Sequence, residues 1–143
     1  MVRLHTELFI DAPPERVWSV LTDFASYPAW NPLLLEAHGE AREGARVRVK
    51  AASPGGSGKS LRFRATVVRV EPARRLVWKG GVPGVLHGEH FFELTPEGAG
   101  TRLVQGEHFT GVLSLLLPAS LKGKLERGYA GMNEALARRT RTM

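Results

Sequence analysis

The chain has 143 residues, 43% of them hydrophobic, which suits one domain with a real core and excludes a disordered chain. It has no cysteine, which excludes disulfides, thiol catalysis and thiolate metal sites. The net charge of +6 is spread along many segments and mixed with acids, with one dense cluster at Arg138, Arg139 and Arg141, so solvated strand faces and a basic tail account for it.

Residues 3–10 alternate and read as a first strand, with Leu4, Thr6, Leu8 and Ile10 on one face. Asp11-Ala12-Pro13-Pro14 breaks it. Pro14 suits the first turn of a helix, and Val17, Val20 and Leu21 give that helix a short apolar stripe. Asp23 to Tyr27 reads as a further helical turn ending before Pro28, because a residue preceding proline avoids the α region. Ala29-Trp30-Asn31-Pro32 is an aromatic corner.

From Leu33 to Phe109 the pattern is of strands separated by turn residues. Leu33 to Glu40 is a weak strand, and Arg46 to Lys50 alternates as a half-solvated one. Pro54-Gly55-Gly56-Ser57-Gly58 is a loop. Leu61 to Val70 is expected to be the longest strand, with Leu61, Phe63, Ala65 and Val67 on one side. Leu76-Val77-Trp78 follows a turn, and Gly80-Gly81 with Pro83-Gly84 reads as another loop. Val85 to Thr95 and Thr101 to Thr110 form the last hairpin. Consecutive strands with short turns imply an antiparallel meander.

The stretch from Leu117 to Arg139 carries apolar residues at Leu117, Leu121, Leu125, Tyr129, Met132 and Leu136, one stripe of a long helix from about Pro118 to Arg139. After a run of strands, such a stripe must bury itself against their sheet. Gly123, Gly128 and Gly131 each cost about 0.8–1 kcal/mol relative to alanine inside a helix. They mark close approach, a bend, or room left for something bound.

Few motifs carry chemistry. Ser53 to Ser60 is glycine-rich, but a phosphate loop needs a glycine where Ser53 stands and a following helix, and here a strand follows. The histidines lack zinc-helix spacing, so no metal and no cofactor is expected. The start of the chain lacks the apolar core of a signal peptide, and no apolar run nears the ~18 residues that span a bilayer, so a cytoplasmic protein is expected.

The last hairpin is more informative. If Leu94 opposes Leu103, then Phe92 opposes Gln105 and His90 opposes Glu107, all on the inward face. Three polar groups then enter an apolar interior, at a cost unless they are paired. They form either a self-satisfied His90–Glu107 pair or the polar spot of a ligand cavity. The aromatics Trp30, Phe63, Trp78, Phe92, Phe109 and Tyr129 are mostly expected to face inward, as a packed or a partly hollow core would require.

Ile10 to Trp18, Leu21-Thr22-Asp23-Phe24 and Tyr27 to Pro32 resemble the opening of the START/Bet v 1-like (SRPBCC) superfamily, nearest its bacterial polyketide cyclase/dehydrase-like branch. Glu71 to Trp78, Gly100 to Leu103 and Gly111 look like the same family, so the resemblance spans nearly the whole chain as a single domain, 1–143. It implies an α+β helix-grip fold: a curved antiparallel sheet of about seven strands wrapped around a long C-terminal helix, with two short helices after strand one. It also implies an apolar cavity between sheet and helix. No catalytic motif of the family falls on this chain.

The expected function is binding or transport of a small hydrophobic or amphipathic molecule such as a lipid or polyketide. The wall is expected to comprise Trp30, Phe63, Trp78, Phe92, Phe109, Leu121, Leu125, Tyr129 and Met132, with His90, Gln105 and Glu107 orienting a polar group. The alternatives are a cyclase or dehydratase using a His/Glu pair as acid and base, and a chaperone-regulating interaction module with a packed interior. No specific nucleic-acid partner is expected, because no basic stripe interleaves with aromatics.

Overall fold

A computed structural model describes residues 2–142. Strand β1 (Val2–Ile10) leads into helix α1 (Pro14–Leu21) and a 3-10 helix (Phe24–Ala29). Six strands follow: β2 (Leu34–His38), β3 (Arg46–Ala52), β4 (Ser60–Glu71), β5 (Arg75–Val82), β6 (Leu86–Glu97) and β7 (Gly100–Thr110). A second 3-10 helix (Val112–Leu116) precedes the long helix α2 (Ala119–Arg141).

The strands form a seven-stranded antiparallel sheet in the order β1-β7-β6-β5-β4-β3-β2. The meander runs from β2 to β7, and β1 closes beside β7 in unbroken register from Val2↔Phe109 to Ile10↔Thr101. Register shifts between Val67 and Arg69 on β4, and between Leu34 and Glu36 on β2, add local bend and twist at the β2 end of the sheet. Helix α2 packs chiefly on β1, α1 and β7.

The two halves of α2 sit differently. Its buried residues, Tyr129, Met132, Asn133, Ala135, Leu136, Ala137 and Thr140, all lie in the C-terminal half. Met132 and Leu136 join Ile10, Phe92, Leu94 and Leu103 in the core, and α1 closes that end through Val17 and Leu21. Leu121 and Leu125, on the same stripe about three and two turns before Met132, are only half-buried.

Several sequence expectations shift. The 3-10 helix runs through Pro28 to Ala29, because burial of Tyr27, whose hydroxyl donates to the Leu21 carbonyl at 2.5 Å, outweighs the local preference before proline. Gly80 and Gly81 are strand residues of β5, not loop, paired to Gly88 and His87. The β6–β7 turn tightens to Gly98-Ala99, with Gly98 at φ +61°. Strand β6 equals β4 in length at 12 residues, so β4 is not uniquely the longest. Helix α2 begins one residue later than expected, with Pro118 capping it, and ends at Arg141.

Candidate functional site

A cavity of about 440 Å³ lies between the N-terminal half of α2 and the sheet. The stripe explains its position. The C-terminal half of α2 is drawn onto the sheet by Met132 and Leu136, while its first turns stand off, and Leu121 and Leu125 roof the space. The opposite wall is Phe63, Ala65, Trp78 and Phe109, from the inward faces of β4, β5 and β7. Leu61 and Phe63, at 46% and 37% exposure, have the open cavity over them instead of packed neighbours.

Among the residues lining it, the only ionisable ones are His90, Glu107 and Tyr129, gathered at the inner end. The hairpin register is as expected: Leu94↔Leu103, Phe92↔Gln105 and His90↔Glu107. The pairing of side chains is not. His90 does not bond Glu107; its Nε2 meets Gln105 Oε1 at 2.9 Å, and Glu107 Oε1 accepts from the Tyr129 hydroxyl.

The network behind His90 fixes its tautomer. Asn133 Nδ2 donates to Thr6 Oγ1 at 2.9 Å, and Thr6 Oγ1 donates to the Gln105 carbonyl at 2.7 Å. Gln105 Nε2 donates to Asn133 Oδ1 at 2.6 Å and to the Tyr129 carbonyl at 3.4 Å. Only Oε1 of Gln105 then remains for His90, so Nε2 of His90 carries the proton and Nδ1 is an acceptor. No group among the described residues bonds Nδ1, and His90 lines the cavity.

The imidazole is stacked between Phe92 and Tyr129, at centroid distances of 4.8 and 5.1 Å, with Trp78 edge-on at 5.7 Å. Burial holds its pKa below the ordinary value, against the opposing pull of Glu107's charge and Gln105's hydrogen bond, so the ring is neutral. Burial, and then the charge and hydrogen bond of Glu107, push the Tyr129 phenol well up, so it stays a donor. Gly88 makes room for this pair, because a Cβ there would collide with Glu107 Oε2.

Eight of the expected wall residues line the cavity: Phe63, Trp78, His90, Glu107, Phe109, Leu121, Leu125 and Tyr129. Four do not. Trp30 stands in the 3-10 corner, edge-on to Tyr27 at 5.3 Å. Phe92 is packed beneath His90 in the core. Gln105 is fully buried, covered by Asn133 and the Tyr129 backbone, and reaches the cavity only through His90. Met132 is also fully buried, because the helix has met the sheet one turn past Tyr129. The sequence reading missed Asn133, although a polar residue four positions after Tyr129 on an apolar stripe was a usable signal. It also missed Leu33, Ala51, Leu86 and Leu117, which no local pattern brings together.

A curved antiparallel sheet gripping a C-terminal helix over an apolar cavity defines a protein of the Bet v 1-like helix-grip class. The chain belongs to the family described as polyketide cyclase / dehydrase and lipid transport, whose profile matches residues 1–141. Among solved structures it is similar to TTHA0849 from Thermus thermophilus, with a TM-score of 0.79, 22% identity, and 99% of this chain and 98% of that one covered. It is likewise similar to the Zhui aromatase/cyclase from Streptomyces sp. R1128, with a TM-score of 0.76, 18% identity, and 98% and 93% covered. Ara h 8.0201 shares the fold at 13% identity, with a TM-score of 0.77 over 99% of both chains. A comparison with curated proteins finds no match.

Proposed function

We propose that this protein binds a small, largely apolar molecule that carries an uncharged hydrogen-bonding group, such as a hydroxyl. The supporting observation is the cavity's composition: an apolar wall with a single polar end formed by Nδ1 of His90 and the Glu107–Tyr129 pair. Nδ1 and Glu107 both accept, so a ligand hydroxyl or phenol is matched there. A carboxylate placed at the same end would meet Glu107 with no lysine or arginine in the wall to offset it. The family description and the aromatase/cyclase neighbour are consistent with ligands of this class.

Titration with a fluorescent hydrophobic probe tests this reading, together with native mass spectrometry for a retained ligand. Leu125→Trp fills the cavity from its half-buried roof and is expected to weaken probe binding at least about tenfold, with the melting temperature little changed, since the open cavity takes the larger ring without overpacking. No probe binding by the parent protein refutes the proposal. A second reading is that the same site turns its ligand over, with the neutral imidazole as base and the Tyr129 phenol as acid in a cyclisation or dehydration. Product formation from a bound candidate, abolished by His90→Gln while binding persists, would establish that reading. A purely interacting module rested on a packed interior, and the cavity removes that support.

A further inference from the structure

The rim of the cavity is built where the β5–β6 turn, the Pro54–Gly58 loop, the second 3-10 helix and the first turns of α2 come together. The Val112 and Leu113 amides donate to the Gly84 and Val85 carbonyls, which docks that 3-10 helix onto the turn. A Cβ on Gly55 would lie 3.4 Å from the Lys124 side chain, so the loop borders α2. Two properties of this end are independent of each other. Of the ten exposed large hydrophobic side chains among the described residues, all but Phe9 and Val68 belong to it. Leu115 and Leu116 at its tip are 75% and 74% exposed.

The second property is charge. Residues 51–64, 80–88 and 109–125 form this end and contain Lys59, Arg62, Arg64, Lys122 and Lys124, with no aspartate or glutamate. The whole chain holds 20 cations and 14 acids, so outside these segments it is close to neutral. All five cations are exposed; Lys59, Lys122 and Lys124 belong to the rim itself, while Arg62 and Arg64 turn to the outer face of the sheet beside Arg48 and Lys50. Protruding aliphatic side chains with Lys59, Lys122 and Lys124 in the neighbouring loop and first helical turns suit the boundary between acyl chains and anionic headgroups. They do not suit a second copy, since a symmetric pairing would set these cations against their own equivalents.

We propose that this end of the molecule is a docking surface for an anionic lipid bilayer, with Val112, Leu115 and Leu116 entering the acyl boundary and Lys122 and Lys124 meeting headgroups. Docking stands without any ligand in the cavity. If the cavity does hold an apolar ligand, its mouth opens on the docked face, and the ligand can pass between membrane and protein without crossing water.

Flotation with vesicles of phosphatidylcholine alone, and of an equimolar phosphatidylcholine–phosphatidylglycerol mixture, tests the proposal. The parent protein is expected to float with the anionic vesicles at least about tenfold more than with neutral ones, and to lose much of that binding in high salt. Leu115→Asp combined with Leu116→Asp should abolish flotation without lowering the melting temperature, because both side chains are solvent-exposed. Lys122→Glu with Lys124→Glu should remove the preference for anionic lipid. The cavity-filled Leu125→Trp protein should still float, which separates this surface from the ligand-binding reading. Absence of flotation on anionic vesicles, or flotation indifferent to the aspartate pair, overturns the proposal. So does a dimer in sedimentation velocity that the same pair dissolves, which would assign the face to a second copy.

Discussion

His90 is held neutral by its surroundings, and that has a consequence for stability. The unfolded chain protonates this histidine near its ordinary pKa of 6.5, whereas the folded chain resists protonation to lower pH because the ring is buried between Phe92 and Tyr129. The unfolded state therefore binds more protons as pH falls through that window, and acid favours unfolding. The stabilisation is fully present above about pH 6.5 and declines below it, until the folded pKa is passed. Chemical denaturation of the parent and His90→Gln proteins between neutral pH and pH 5 checks this: the parent's stability should fall more steeply. Gly88→Ala acts on the neighbouring pair. The added methyl pushes aside Oε2, the far end of the flexible Glu107 side chain, and weakens the bond that Oε1 accepts from the Tyr129 hydroxyl, at a cost of about 0.5–1.5 kcal/mol. Thermal melts should show that loss, and probe affinity should fall with it.

At the scale of elements, α2 is one amphipathic helix performing two tasks. Its C-terminal half is core, held by Met132 and Leu136; its N-terminal half is roof, with Leu121 and Leu125 over open space. The same substitution should therefore behave oppositely in the two halves. Met132→Trp overpacks a site with no free volume and should cost about 1–3 kcal/mol while leaving probe binding largely intact, if the protein stays folded. Leu125→Trp should keep stability and lose the probe. Paired melts and titrations on both variants decide whether the boundary falls between Leu125 and Met132. The helix glycines are mixed in purpose. A side chain on Gly128 would press on Leu33 at 3.2 Å, whereas one on Gly131 would meet nothing within 4 Å. Close approach thus explains Gly128, and nothing in the structure explains Gly131.

Over the whole molecule, the charge is asymmetric in a way that bears on partners. The five cations of residues 51–64, 80–88 and 109–125 are interleaved with aliphatic side chains and two aromatics, Phe63 and Phe109, both of which face the cavity. That arrangement lacks the stacking platforms that single-stranded nucleic acid requires. Titration with single- and double-stranded DNA at physiological salt should accordingly show no submicromolar affinity. No helix among the described residues is long and apolar enough to cross a membrane.

Local periodicity is written in consecutive residues. The alternation in β1 and β3, the proline-started α1, the stripe of α2 and the opposition of His90 to Glu107 were all legible, because pleat and helix geometry fix neighbours within a few positions. Partners across the core were not. Whether His90 bonds Glu107 or Gln105 depends on where Tyr129 and Asn133, 24 and 28 residues beyond Gln105, arrive with their helix. Tyr129 claims the carboxylate of Glu107, and Asn133 claims the amide of Gln105. How far α2 stands from the sheet is also a tertiary outcome. It follows from sheet curvature and from which half of the stripe finds core beneath it, so Met132 became core and Leu125 became wall although both lie on one stripe. The cations looked scattered along the chain. Only folding brings Lys59, from the β3–β4 loop, to the same end as Lys122 and Lys124 at the start of α2, because a meander returns alternate turns to the same end of the sheet.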